Sequence, residues 1–86
     1  MSDRSAKYII WDDGLADCAI VFNNHLNHAN MASALNIVPI SAGFVSFEST
    51  LNDGSIKVIT FGESVSLKLK SRPEDVNLIK FTLSLK

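Results

Sequence analysis

Apolar and polar residues alternate along three consecutive segments in the second half of the chain, at 44–51, 55–61 and 64–69. Such alternation is typical of strands with one buried face. Two-residue turns at Asp53-Gly54 and Gly62-Glu63 would join these segments into an antiparallel meander. The expected cross-strand neighbours are Leu51 with Ile56, Phe47 with Thr60, Val58 with Leu67, and Ile56 with Leu69.

The same register assigns each meander residue to one of two faces. A slip of one residue would exchange the faces, so the assignment depends on the turns. The outer face groups Phe44, Ile59 and Phe61 within a polar surround. The inner face carries the larger apolar set, namely Val45, Phe47, Leu51, Ile56, Val58, Val65, Leu67 and Leu69.

The first quarter of the chain predicts a hairpin. Residues 7–11 are β-prone, Asp13-Gly14 is a strong turn signal, and 15–22 would form the returning strand. A two-residue loop would group Ile9 and Trp11 with Ala16, Cys18 and Ile20. A three-residue loop would instead group Tyr8 and Ile10 with Cys18 and Ile20, and the pattern leaves both registers open.

A helix is predicted at 27–36, because Asn is a good N-cap and a poor strand former. Met31, Ala32 and Leu35 would form its buried stripe, with His28 on the same side. Pro39 ends any helix and begins the next extended segment.

A second helix is predicted after Ser71, which with Glu74 has the spacing of a capping box. Its two apolar stripes would be Val76, Ile79 and Leu83 on one side, and Leu78, Phe81 and Leu85 on the other. Residues 79–86 also alternate as a strand would, and of the two we favour a helix to about Thr82.

Together these elements predict one α+β domain spanning residues 1–86. A hairpin, a helix, a three-stranded meander and a C-terminal helix would give an antiparallel sheet of four to five strands, with both helices on the inner face. We expect residues 1–6 to be disordered, because they are polar and terminal.

Composition narrows the class of protein. The chain is 47% hydrophobic, too high for a disordered chain, and its net charge of −1 gives no general attraction for nucleic acid or an anionic membrane. No apolar run approaches the length of a membrane span, and residues 1–7 lack the apolar core of a signal peptide. One cysteine cannot form an internal disulfide. We therefore expect a cytoplasmic protein with no membrane association.

Candidate chemistry is sparse. His25 and His28 are three residues apart, but local spacing supplies no third metal ligand. Cys18 has no adjacent base in the sequence and is typical of a packing residue. Asp12, Asp13 and Asp17 are explained by turn chemistry and solvation. We predict no catalytic residue, cofactor or metal site, and a protein that is not an enzyme.

The patch of Phe44, Ile59 and Phe61 has two interpretations. A helix or the first hairpin could cover it, or it could be an exposed interaction surface. The second stripe of the last helix, with Leu78 and Phe81, is another candidate surface. Either could bind a partner protein or make a homodimer.

Basic residues suggest a further surface. In the predicted register Lys57 lies opposite Lys68, a mildly destabilising pair that could simply splay into water. With Lys70 and Arg72 they could instead bind an anion or an acidic partner. Basic residues beside Phe44 and Phe61 would also suit a nucleic-acid-binding sheet, which is the alternative function.

Three segments of the second half of the chain read PISAGF at 39–44, FGESVSL at 61–67 and KSRPED at 70–75. They resemble a group of small uncharacterised proteins encoded by tailed phages and prophages. The resemblance implies a bacterial host cell as the setting and assigns no activity to any residue. It implies binding to a host or self protein, as a modulator or inhibitor such as an anti-CRISPR or other anti-defence factor. The leading hypothesis is therefore a non-enzymatic, protein-binding protein.

Overall fold

The computed structural model describes residues 5–49 and 56–83 of the chain. Its elements in chain order are the strands β1 (Ala6–Asp12) and β2 (Asp17–Phe22), the helix α1 (His28–Leu35), the strands β3 (Pro39–Ser49), β4 (Ile56–Phe61), β5 (Glu63–Ser64) and β6 (Leu69–Lys70), and the helix α2 (Asp75–Thr82). The first four strands form an antiparallel sheet in the order β2-β1-β3-β4, and β5 pairs with β6 in a second, small sheet. The predicted α+β class is confirmed.

The first hairpin has a longer loop than predicted. Trp11 lies opposite Cys18 and Asp12 opposite Asp17, so the connection spans the four residues 13–16. The carboxylate of Asp13 accepts hydrogen bonds from the backbone N–H groups of Leu15 and Ala16, at 2.9 and 3.0 Å, and these bonds stabilise the wider turn. The observed loop is two residues longer than the predicted two-residue loop. An even difference leaves each side chain on the same face, so Trp11 and Cys18 share a face as the two-residue loop predicted.

β3 and β4 pair as the meander predicts, but two residues out of the expected register. Phe47 lies opposite Val58, and Phe44 lies opposite Phe61. A shift of two residues keeps every side chain on its predicted face. The predicted turn at Asp53-Gly54 lies in 50–55, outside the described residues, as does Leu51.

The predicted third strand of the meander is wrong. At Gly62, which has a φ of 72°, the chain leaves the large sheet, and the pairs of Val58 with Leu67 and Ile56 with Leu69 do not form. Residues 65–68 form a turn between β5 and β6. The hydroxyl of Ser64 accepts from the backbone N–H of Leu67, so local serine bonding replaces a ladder along β4.

The two helices pack on opposite faces of the sheet, not on one face as predicted. Ile79 of α2 packs with Tyr8 and Ile10 of β1, whereas Ala32 of α1 packs with Ile9. Tyr8, Ile9 and Ile10 are all fully buried, so the central strand requires cover on both sides.

Several residues predicted for the inner core lie elsewhere. Phe47 and Val65 are 37% and 83% exposed, because Phe47 lies beyond the part of β3 that pairs with β1 and Val65 lies in the 65–68 turn. Leu67 and Leu69 pack with the α1 side of the sheet. The inner face is therefore smaller than predicted, with Val45 and Val58 as its buried members on β3 and β4.

α1 begins and ends within one residue of the predicted bounds, and the two predicted end residues are its caps. Asn27 is the N-cap and accepts from the backbone N–H groups of Ala29 and Asn30, while Asn36 ends the helix in the left-handed region at a φ of 56°. His28 is buried, as expected. Leu35 is 42% exposed, so its predicted place in the buried stripe is wrong.

α2 confirms the helix over the strand as far as Thr82. The predicted capping box does not form: Glu74 makes no side-chain cap, and the helix begins at Asp75. Leu83 is 42% exposed, whereas Ile79 of the same predicted stripe is fully buried, and Leu85 lies outside the described residues. The disorder expected of residues 1–6 is wrong for Ala6, which begins β1, and residues 1–4 lie outside the described residues. Within the described part of the chain, no helix is long and apolar enough to cross a membrane.

Candidate interaction surface

Phe44 and Phe61 meet on the sheet face that also carries α1. They are cross-strand neighbours, and their rings stack with centroids 5.8 Å apart at an interplanar angle of 21°. Phe61 is 43% exposed, whereas Phe44 and Ile59 are half-buried. The predicted outer patch therefore exists as a group, with its exposed end on β4.

His28 covers the other end of this patch. Its ring meets Phe44 edge-on at 5.8 Å and Phe22 edge-on at 5.7 Å. Its Nε2 lies 2.8 Å from the carbonyl oxygen of Gly43, which can only accept, so Nε2 carries the proton. Each of the two predicted interpretations therefore holds for part of the patch. His28 of α1 covers Phe44, whereas Phe61 stays exposed.

The folded domain should lose stability in mild acid through His28. Burial lowers the pKa of His28 below its usual value, and the charge of Lys7 acts in the same direction. The stability that neutral His28 contributes is therefore present above about pH 6.5 and is lost as the pH falls below it. Urea midpoints at pH 7.5 and 5.5 measure this loss. It should persist in the His25→Gln variant and shrink in His28→Gln; an equal loss in both variants would contradict the assignment.

β4 forms one edge of the large sheet. Among the described residues it pairs with β3 alone, so its other edge presents unpaired backbone groups. An open groove of about 530 Å³ follows this edge on the α2 side. The floor of the groove comes from β4, residues 57–60, and its wall from Ser71, Arg72, Pro73 and Val76.

The predicted basic cluster does not assemble around Lys57. Its cross-strand neighbour is Glu48 rather than Lys68, which lies in the 65–68 turn with a φ of 58°. Lys70 lies opposite Glu63, and Arg72 forms an ion pair with Asp75 at 2.8 Å. Three of the four predicted basic residues, Lys57, Lys70 and Arg72, therefore each lie beside an acidic residue.

The two described residues of the second predicted stripe of α2 differ in exposure. Leu78 is half-buried against the core, while Phe81 is 86% exposed. α2 and the Phe44 patch lie on opposite faces of the sheet, so Phe81 and Phe61 belong to different surfaces.

The sequence analysis did not predict the buried polar cluster around Asp75, at the start of α2. The carboxylate of Asp75 accepts from the Tyr8 hydroxyl at 2.6 Å, the Ser41 hydroxyl at 2.9 Å, and the backbone N–H and Nε of Arg72, each at 2.9 Å. Asp75 and Tyr8 are fully buried and Ser41 is 1% exposed, so no substrate reaches them. The cluster fastens the start of α2 to the sheet.

Cys18 is not an activated nucleophile. Its Sγ lies 3.3 Å from a carboxylate oxygen of Asp13, and this hydrogen bond, reinforced by partial burial and by the acidic residues nearby, raises the pKa of the thiol. A raised pKa lowers the thiolate fraction at neutral pH. Across the described residues, no group of three or more histidine, cysteine or acidic side chains is placed to hold a metal ion.

Comparisons with known proteins identify no relative. No family model, curated protein or solved structure matches this chain.

Proposed function

We propose that this chain is a non-enzymatic, protein-binding domain that takes up an extended segment of a partner along β4. One observation carries the proposal: a half-exposed phenylalanine, Phe61, lies on an edge strand whose outer edge is unpaired among the described residues. An extended peptide that adds to such an edge gains backbone hydrogen bonds, and its alternate side chains enter pockets on either side of the sheet.

Both sides of β4 offer a place for those side chains. Toward α2, Val58 and Thr60 line the open groove together with Pro73 and Val76. On the opposite face, Ile59 and Phe61 form the apolar patch backed by Phe44. A partner segment with apolar residues at alternate positions would therefore contact both surfaces.

The identity of the partner is a separate question. A host protein, including an immunity effector, is implied by the phage resemblance alone and stays a prediction. Binding of nucleic acid lacks a comparable support, because the four basic residues on which it depended do not converge.

The Phe61→Asp variant should lose partner binding while it keeps the fold. A buried charge against the partner's apolar side chain removes a central aromatic contact, which is worth about 2 kcal/mol or more, or roughly 30-fold in affinity. The chain is immobilised, partners are captured from a lysate of the organism that encodes it, and the captured proteins are quantified by mass spectrometry.

Phe81→Asp is the matched control, because Phe81 is exposed on the opposite side of the molecule. The partner should be retained by wild type and Phe81→Asp and depleted by Phe61→Asp. Circular dichroism checks the fold of each variant. Equal capture by all three proteins, or unfolding of Phe61→Asp, would overturn the proposal, since unfolding would make Phe61 part of the core.

A further inference from the structure

Residues 18–47 contain no lysine, arginine, aspartate or glutamate. At the chain's overall 20% of charged residues, thirty residues would hold about six of them. The centres of β2 and β3 are buried and need no charge. α1 and its flanks are different, because much of their surface faces solvent and a solvent-facing helix ordinarily carries charged residues.

The outer side of α1 is uncharged, and exposed apolar residues lie at both of its ends. Leu26, just before the helix, is 47% exposed, and Leu35, at its end, is 42% exposed; Val38 beyond it is 83% exposed. An open groove of about 360 Å³ runs along the helix, lined by His25, Leu26, Asn27, Asn30, Met31 and Ala34. None of these six residues is acidic or a lysine or arginine. We call this group, with Leu35 and Val38, the α1 surface.

Charged groups lie at the border of the α1 surface. The Nζ of Lys7 donates to the carbonyl oxygen of Leu26, and Lys7 and Glu63 line a separate groove beside Asn27 and His28. An uncharged, partly apolar centre with charged residues at its border is the composition of a protein–protein interface.

We infer that the α1 surface binds a second copy of this chain and makes a symmetric homodimer. In a two-fold interface each residue near the axis meets itself or its close neighbours, so any charge there would face its like. A surface without charges avoids that repulsion.

Hydrogen bonding also favours a second copy. The polar residues on the outer side of the helix are neutral, and Asn30 and Ser33 each carry both a donor and an acceptor. Such a side chain can pair with its own counterpart across a two-fold axis. Ala34 is small and exposed, so it allows the two helices to approach closely at this point.

A charge exchange at Ala34 tests the dimer. Sedimentation velocity of the purified wild-type chain should give twice the mass of 9.4 kDa at high concentration. Ala34→Glu and Ala34→Arg should each be monomeric at concentrations where wild type is dimeric, because two like charges then meet near the axis. A one-to-one mixture of the two variants should regain the dimer, since opposite charges now meet there.

Two controls separate this inference from the proposed function. Phe81→Glu places the same charge on the other side of the molecule and should stay dimeric. Phe61→Asp should also stay dimeric while it loses its partner, so the two surfaces can fail independently. A monomeric wild type at every concentration, a dimer that both Ala34 variants retain, or a dimer that Phe61→Asp dissociates would each overturn the inference.

Discussion

Replacing Asp75 with alanine is expected to destabilise the fold more than any other single change considered for this chain. The variant leaves the Tyr8 and Ser41 hydroxyls and the Arg72 guanidinium without their shared acceptor. A buried hydroxyl left without its partner costs about 1–3 kcal/mol, and two are left here, while the lost ion pair with the partly exposed Arg72 adds about 0–1 kcal/mol. A domain of 86 residues has a net stability of about 4–13 kcal/mol, so the variant should be marginal or unfolded at room temperature.

Urea unfolding followed by the fluorescence of Trp11, the one tryptophan, measures this effect. Glu74→Ala is the matched control, because Glu74 is the neighbouring acidic residue, its side chain is 65% exposed, and it lies 3.9 Å from Arg72. An exposed ion pair of this kind contributes about 0–1 kcal/mol. A loss of less than about 1 kcal/mol in Asp75→Ala would show that the cluster does not hold α2 to the sheet.

The second large effect is expected in alkali, at Tyr8. Burial, with the hydrogen bond to Asp75 and its negative charge, raises the pKa of the Tyr8 hydroxyl above its usual value. The stability that neutral Tyr8 contributes is therefore fully present below about pH 10, where the unfolded chain also keeps the proton. It is lost by about 1.4 kcal/mol per pH unit as the pH rises above 10.

Comparison with Tyr8→Phe isolates this effect from other groups that titrate in alkali. At neutral pH the variant should be less stable by about 1.5–3 kcal/mol, the value of a hydrogen bond to a charged group. The difference should shrink above pH 10 and then change sign, because phenylalanine cannot ionise. Tyr8 is the one tyrosine in the chain, so absorbance at 295 nm reports its ionisation alone. Tyrosinate absorbance that rises near pH 10 while the circular dichroism stays native would contradict the buried geometry.

Local chemistry explains what the sequence could predict. Asn27 and Asn36 determine the ends of α1 through hydrogen bonds within a few residues, so its bounds were predictable. The faces of β3 and β4 were predictable for a different reason: an error of two residues in register leaves each side chain on its face. Phe44 and Phe61 were therefore grouped correctly even though the exact pairs were wrong.

Contacts between distant residues explain what the sequence could not predict. The partners of Asp75 lie 67 and 34 residues away, at Tyr8 and Ser41, and no local pattern relates them. The strand expected at 64–69 has the right alternation, but the chain leaves the large sheet at Gly62 and Ser64 forms hydrogen bonds within its own segment. The α1 surface did have a signal in the sequence, namely the charge-free stretch at 18–47.

Amide hydrogen exchange along β4, followed residue by residue by NMR, tests the proposed binding edge most directly. In an antiparallel edge strand, alternate N–H groups point toward the neighbouring strand and the others point outward. We expect slow exchange at every second residue from Ile56 to Phe61, where the amide bonds to β3, and rapid exchange between them. Uniformly slow exchange along the strand would mean that a further strand covers this edge, and β4 would then have no free side to offer a partner.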